Sequence, residues 1–366
     1  MTRKPYLDNI RWITVVLVMI YHVFYLFNHA GVPASLAAPA GAAYADVLLY
    51  VLYPWFMTLL FLIAGMSARY ALASRTDKAF LKSKVDKLLV PSTLGLLVYQ
   101  WIGGYLNVKI GGGLDTLPAP LRYPIFALSG TGPLWFIQML FLFSLALVLL
   151  RRLDRSDRLW TLCGRCGLPW LLLLAVPLWG TSMVGNLPVL TTYRFGIYFF
   201  TYLAGYYVFS HEEAQQRLMR ARVPLLLAAL ALCAAFTVRF FGQDYTRPAC
   251  LTHPLTNLYA WIAMLAILGC GKAWLDRPIP LSARMGRVSF GWYVLHYPVT
   301  LAVCYVLYTY CALSAPLLYA LSLLLEFLLT AALYALFSRV PVVRYLVLGI
   351  RRSKAREPEK VGQARG

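Results

Sequence analysis

Charge is scarce in this chain. Asp, Glu, Lys and Arg make up only 13% of its 366 residues, with 14 acidic side chains against 34 basic ones. A water-soluble domain carries about a quarter charged residues. So few charges cannot cover an aqueous surface of this size. Segments of about ten residues with strict alternation are also missing, which excludes a membrane-spanning β-barrel. No Walker P-loop, GxSxG elbow or HExxH pair occurs, so ATP-driven transport and membrane metalloprotease chemistry lose ground. Cysteine is sparse at seven residues. Cys163-Gly-Arg-Cys166 has the CxxC form, but no second pair or His pair accompanies it. It reads more simply as two thiols in a reduced loop than as a metal or redox centre.

What is abundant is apolar. Hydrophobic residues are 60% of the chain and the mean hydropathy is +0.65, so the bilayer is the solvent for most side chains. Apolar segments fall near 10–28, 47–70, 88–107, 133–150, 168–186, 194–210, 223–241, 254–270, 288–309 and 315–338. Each is long enough to cross a ~30 Å hydrocarbon layer as a helix. The fold class expected is an all-α integral membrane protein, a bundle of about ten transmembrane helices. The first segment is interrupted by Asn9, Arg11 and His22, so it reads as a retained helix rather than a cleaved signal peptide.

Net charge is +20. In a soluble protein that would suggest nucleic acid; here the cations sit in short tracts between apolar runs, and no nucleic-acid partner is expected. With both termini placed in the cytoplasm, inside loops hold 28 of the 34 Lys and Arg residues. The outside holds Lys109, Arg122, Arg194, Arg239 and Arg247, and Arg11 lies in the first helix. That asymmetry supports the orientation. Residues 1–350 form one membrane domain, and 351–366 are a basic, disordered cytoplasmic tail.

Polar groups inside a membrane are costly and are functional candidates by default. The first helix holds Asp8, Asn9, Arg11, His22 and Asn28. Arg11 and His22 are eleven residues apart, so they share a helix face ~16 Å apart. Asp8, one turn before Arg11, is positioned to pair with it. A deep histidine above a cytoplasmic arginine suits a long anionic donor, with phosphates at the arginine and the reactive end at the histidine. A histidine bonded to a neighbouring helix for packing is the other reading. Ser289, Tyr293 and His296 lie at spacings of four and three and share a face. They form a second polar wall of a site, or else His296 serves the backbone freed by Pro298. Glu326 stands alone among leucines and must be protonated or paired; Arg239, Gln100, Gln138 and Asn257 are possible partners. The tract Lys82-Ser-Lys84-Val-Asp-Lys87 opens the third helix. It serves as membrane anchoring or as a phosphate site for a donor such as coenzyme A.

These pieces together resemble the acyltransferase-3 family of membrane acyltransferases. Tyr6-Leu-Asp8-Asn-Ile-Arg11 followed by His22 is similar to its opening helix, and Pro54-Trp-Phe-Met-Thr-Leu-Leu-Phe-Leu-Ile-Ala-Gly65 to its second. Lys84-x-x-Lys87-Leu-Leu-x-Pro91, Leu134-Trp135-Phe136 and the run from Ser289 to His296 follow in order. The resemblance implies an enzyme with His22 as catalytic histidine and Arg11 as its essential partner in the donor site. Lys84 and Lys87 stand where the family often has Arg-x-x-Arg, which keeps the charge and changes the geometry. It also implies acyl-CoA, usually acetyl-CoA, as co-substrate with no bound cofactor. The implied acceptor is a hydroxyl of an extracytoplasmic glycan or similar molecule, as in polysaccharide O-acetylation at a bacterial inner membrane. A multi-pass transporter or flippase is the rival class.

Overall fold

The structure is a computed structural model and describes residues 4–33, 35–36, 38–187 and 193–351. Residues 352–366, most of the tail expected from the sequence, lie outside the described residues. Of the described residues, 78% are helical. Among the described residues, seven helices are long and apolar enough to cross a membrane. We label them α1 (Pro5–Leu26), α2 (Ala43–Leu72), α3 (Gly132–Leu153), α4 (Arg222–Phe240), α5 (Pro254–Trp274), α6 (Pro280–Tyr310) and α7 (Ala315–Arg339).

The other three expected segments are helical but built differently. Leu168–Thr181 and Phe195–Phe209 are apolar and shorter than a full span, for which about 20 residues are needed. The segment 88–107 belongs to a helical run over residues 77–110 that contains two π turns, Val85–Leu89 and Leu96–Gln100. That run starts at Asp77, where the Thr76 hydroxyl accepts from Ala79 N at 3.3 Å. Lys84 and Lys87 therefore lie inside the helix rather than at its opening.

α1 packs along α6, and α6 along α7. α6 is 31 residues long, ~46 Å at 1.5 Å per residue. It starts with Pro280 at its first turn, where a missing N–H costs nothing. It also carries Pro298 inside, which would strand the carbonyl of Val294. Gln100 Nε2 donates to that carbonyl at 2.6 Å, and Tyr99 Oη donates to Leu295 O at 2.9 Å. A π turn thus supplies the two donors that let a proline sit in a membrane helix. α7 is apolar outside and polar within: its buried residues are Leu318, Tyr319, Ser322, Glu326 and Thr330, a single stripe.

The two broad faces of the bundle differ. At the face where α1 begins, Lys4 pairs with Glu212, and Lys272 bridges Glu212 at 3.1 Å and Asp276 at 2.8 Å. Burial raises the Glu212 carboxyl, but hydrogen bonds from Lys4, Gln216 and Lys272 outweigh it and hold it at about 2. Arg69 at the same face forms a forked pair with Asp157 at 2.9 and 3.1 Å, with its guanidinium 4.1 Å from the Trp160 ring centre.

α2 and the Phe195–Phe209 segment cross backbone to backbone. A Cβ on Gly65 would lie 1.9 Å from Tyr202 O, and one on Gly205 would lie 2.0 Å from Leu62 O. Close approach at small residues is how helices associate without a hydrophobic drive in lipid. Gly205→Val should therefore destabilise the protein by ~3 kcal/mol, the upper end for overpacking where backbone cannot yield. Gly180→Ala, where nothing lies within 4 Å, should be silent. Thermal unfolding of the two variants in the same detergent checks this.

Candidate active site

His22 lies one turn before the end of α1 and is part-buried; His296, on α6, is fully buried. Their rings meet with centroids 5.1 Å apart, and His296 Nε2 stands 3.3 Å from His22 Nδ1. Each ring is fixed by its own helix. His22 Nδ1 lies 2.7 Å from Val18 O, and His296 Nδ1 lies 2.7 Å from Tyr293 O. Carbonyls only accept, so each Nδ1 carries the proton. His296 Nε2 is then a lone pair facing the His22 N–H, and His22 Nε2 is left as the basic nitrogen. Among the described residues no hydrogen bond occupies it.

His22 borders a cavity of about 540 Å³, a size typical of ligand sites. Seven tyrosines line it, including Tyr21, Tyr25, Tyr293 and Tyr297, together with Trp135, Arg194, Asp244 and Arg247. The Tyr293 hydroxyl donates to Pro133 O and the Tyr21 hydroxyl lies 3.0 Å from that of Tyr245. The cavity is framed by the end of α1, the Tyr53–Pro54 turn of α2 and the loops at 128–133 and 244–248. It therefore sits at the face opposite Lys4.

Of the second polar wall, the structure brings Tyr293 to the cavity and His296 to His22. Ser289 is buried two turns below and does not line the cavity. Glu326, fully buried on α7, stands behind His296: the Thr300 hydroxyl lies 2.7 Å from Glu326 Oε1 and 3.0 Å from His296 O. That link runs through the backbone of His296, not its ring, so Glu326 is not wired to His22 for proton transfer. Of the polar neighbours considered for Glu326, Gln100 serves Pro298, Gln138 bonds Ser92 O and the Tyr193 hydroxyl, and Asn257 bonds Leu251 O and His253 O. His296 is thereby relieved of the proline duty that its sequence position suggested.

The cations lie at the other end of α1. Arg11 is held by Asp8 Oδ1 at 2.9 Å and donates to Ser67 Oγ at 2.7 Å. Lys84 is close enough to feel it: burial, then the charges of Arg11, Lys87 and Arg75, push its ammonium down to about 8. Lys87 and Arg75 are exposed. The cavity reaches down α1 only to Val18; between Val18 and Arg11 the buried Thr14 and Val15 fill the seam.

Two residues escaped the sequence reading. Gln100 was one polar residue among several. Arg194 was counted as an outside loop cation, yet it is 6% exposed and faces the cavity. A cation next to a tyrosine-rich apolar segment was the available signal.

A histidine at the edge of a ligand-sized cavity, with a cation cluster at the far end of the same helix, lies within a multi-pass helical membrane protein. A family model described as an acyltransferase domain matches residues 4–335, and the chain belongs to that acyltransferase-3 family. It is an acyltransferase, and the transporter reading yields to it. No curated protein and no solved structure matches the chain.

Because His296 Nε2 faces the His22 Nδ1 proton, it would stabilise an imidazolium formed at His22. A hydrogen bond to a charged group contributes ~1.5–3 kcal/mol. His296→Leu should lower kcat for acyl transfer about 10- to 100-fold with donor KM unchanged. Steady-state kinetics of the folded variant checks both quantities.

Proposed function

We propose that this acyltransferase moves an acyl group, acetyl in the simplest case, from cytoplasmic acyl-CoA to a hydroxyl of an extracytoplasmic glycan or similar acceptor, at a bacterial inner membrane. The observation that carries this reading is the division of α1: a cation cluster at Arg11 and Lys84 at one end, and the bare Nε2 of His22 at a ligand-sized cavity ~16 Å away. The basic loops at the Lys4 face support placing that face in the cytoplasm. The donor phosphates then lie at Arg11, Lys84 and Lys87, and the acceptor enters the tyrosine-lined cavity from outside. The slim thioester arm must run between Val18 and Arg11, parting the seam at Thr14 and Val15.

In this scheme the acceptor hydroxyl gives its proton to His22 Nε2 as its oxygen attacks the thioester carbonyl. The C–S bond breaks, and the departing CoA thiolate takes the proton back from the imidazolium. The Nδ1–H stays between Val18 O and His296 Nε2 throughout. Transfer through an acyl-imidazole at the same Nε2 is the other route. It differs in one readout, a stoichiometric release of CoA thiol without acceptor.

Release of CoA thiol from acetyl-CoA, by purified protein in lipid vesicles supplied with envelope glycans, tests the reading. His22→Ala should lower the rate about 10²- to 10⁴-fold. Full activity in that variant would sink the scheme.

A second test uses pH. Lys84 binds phosphate as a cation and loses its charge above about 8. The donor KM should be flat below that pH and rise as pH passes through it. In Lys84→Arg the rise should disappear up to pH about 10, because guanidinium does not titrate there. A KM equally flat in the wild-type protein would remove Lys84 from the donor site.

A further inference from the structure

The same cavity holds a charge that the transfer chemistry does not use. Arg194 caps the Phe195–Ala204 helix. Its backbone is clamped by a bridge to Asn186 and by bonds from Phe195 N to Gly185 O at 3.0 Å and Gly196 N to Val184 O at 3.2 Å. Its guanidinium is buried, and its Nη2 donates to Leu251 O at 3.0 Å. The Tyr198 hydroxyl is its other polar partner; its Nε is buried without one, and among the described residues no carboxylate pairs with it. Residues 188–192, which lie outside the described residues, include no Asp or Glu.

The carboxylate nearest in role is already engaged. Asp244, on the same cavity wall, accepts from Thr246 N at 2.9 Å and Thr246 Oγ1 at 2.6 Å, and pairs with Arg247 at 3.5 Å. With Arg194 and Arg247 set against Asp244, the described lining of the cavity carries one net positive charge. A buried guanidinium with hydrogen-bond partners but no counter-charge is among the most costly groups a membrane interior can hold. Aromatic residues line the same cavity. Trp135 stacks on Tyr198 with centroids 5.3 Å apart and lies 6.2 Å from Tyr193.

Building on the acyl-transfer reading, we propose that the acceptor is a sugar bearing one carboxylate, bound by Arg194 with the sugar ring against the Trp135 and Tyr193 wall of the cavity. A single uncompensated cation balances a monoanion, and a planar fork matches a carboxylate. The acceptor is therefore an acidic glycan unit rather than a neutral one.

The test is binding of methyl glucuronide and methyl glucoside to the full-length protein in vesicles, followed by tryptophan fluorescence. Wild type should bind the glucuronide about 10- to 100-fold more tightly. Arg194→Gln keeps an amide donor for Leu251 O and should bring the two sugars level, whereas Arg194→Lys should keep part of the preference. Equal affinity in wild type, no binding of either sugar, or a preference that survives Arg194→Gln would overturn the proposal. So would tighter binding of glucose 1-(methyl phosphate) than of the glucuronide. Should Arg194→Gln fail to fold, the wild-type ranking and the lysine variant still decide. Glucuronide selectivity without thiol release from any acyl-CoA would leave Arg194's role standing and sink the transfer reading. Thiol release to a neutral acceptor without selectivity would do the reverse.

Discussion

A polar group that enters a membrane interior must find its partner inside the protein, since lipid offers none. The seam between α1 and α6 is where that constraint presses hardest. Two imidazoles meet there, and each is anchored to a carbonyl of its own helix, one turn back for His22 and three residues back for His296. Both anchors are local, so the rings keep their orientation as long as the two helices form. What remains for tertiary structure is only to bring α1 and α6 into register, and that leaves a single basic nitrogen at the cavity edge.

Pro298 shows the same constraint at work two residues beyond His296. Its ring strands the Val294 carbonyl, and the donor that repairs it, Gln100, comes from another helix. The repair fixes the run over residues 77–110 against α6. That run carries Lys84 at its other end. One proline therefore couples the face where the cations gather to the helix that holds the histidine pair.

Much of this was legible in sequence because it is local. The helical reach of α1, the spacing of Arg11 and His22 and the shared face of Tyr293 and His296 all follow from 3.6 residues per turn. The Asp8–Arg11 contact follows from the same geometry. What could not be read depends on contacts between distant segments. Glu326 meets Thr300 across two helices, and Gln100 could not be told from Gln138 or Asn257 by composition. The burial of Arg194 could not be read, for a topological reason. A charge count assigns loop cations to water, and it has no means of seeing that the chain folds 184–186 and 194–196 back on each other and turns that side chain inward. Helix lengths failed similarly, since Leu168–Thr181 ends where local turns begin and not where hydropathy fades.

α7 carries the last step. Its outer surface is leucine and its single buried stripe holds Ser322, Glu326 and Thr330. The hydroxyls of Ser322 and Thr330 and the second carboxyl oxygen of Glu326 have no hydrogen-bond partner among the described residues. Thr300 has one hydroxyl proton and two oxygens within reach, His296 O and Glu326 Oε1. If Glu326 were ionised, that proton would have to go to it and the His296 carbonyl would keep only its helix bond from Thr300 N. If Glu326 is protonated, its own hydroxyl can donate to Thr300, which then donates to His296 O, and both acceptors are satisfied by the two protons present. The neutral form also spares the bundle an unpaired buried charge. Glu326 is on this account a neutral group that meets the Thr300 hydroxyl behind His296, while the ring itself is held by its own helix.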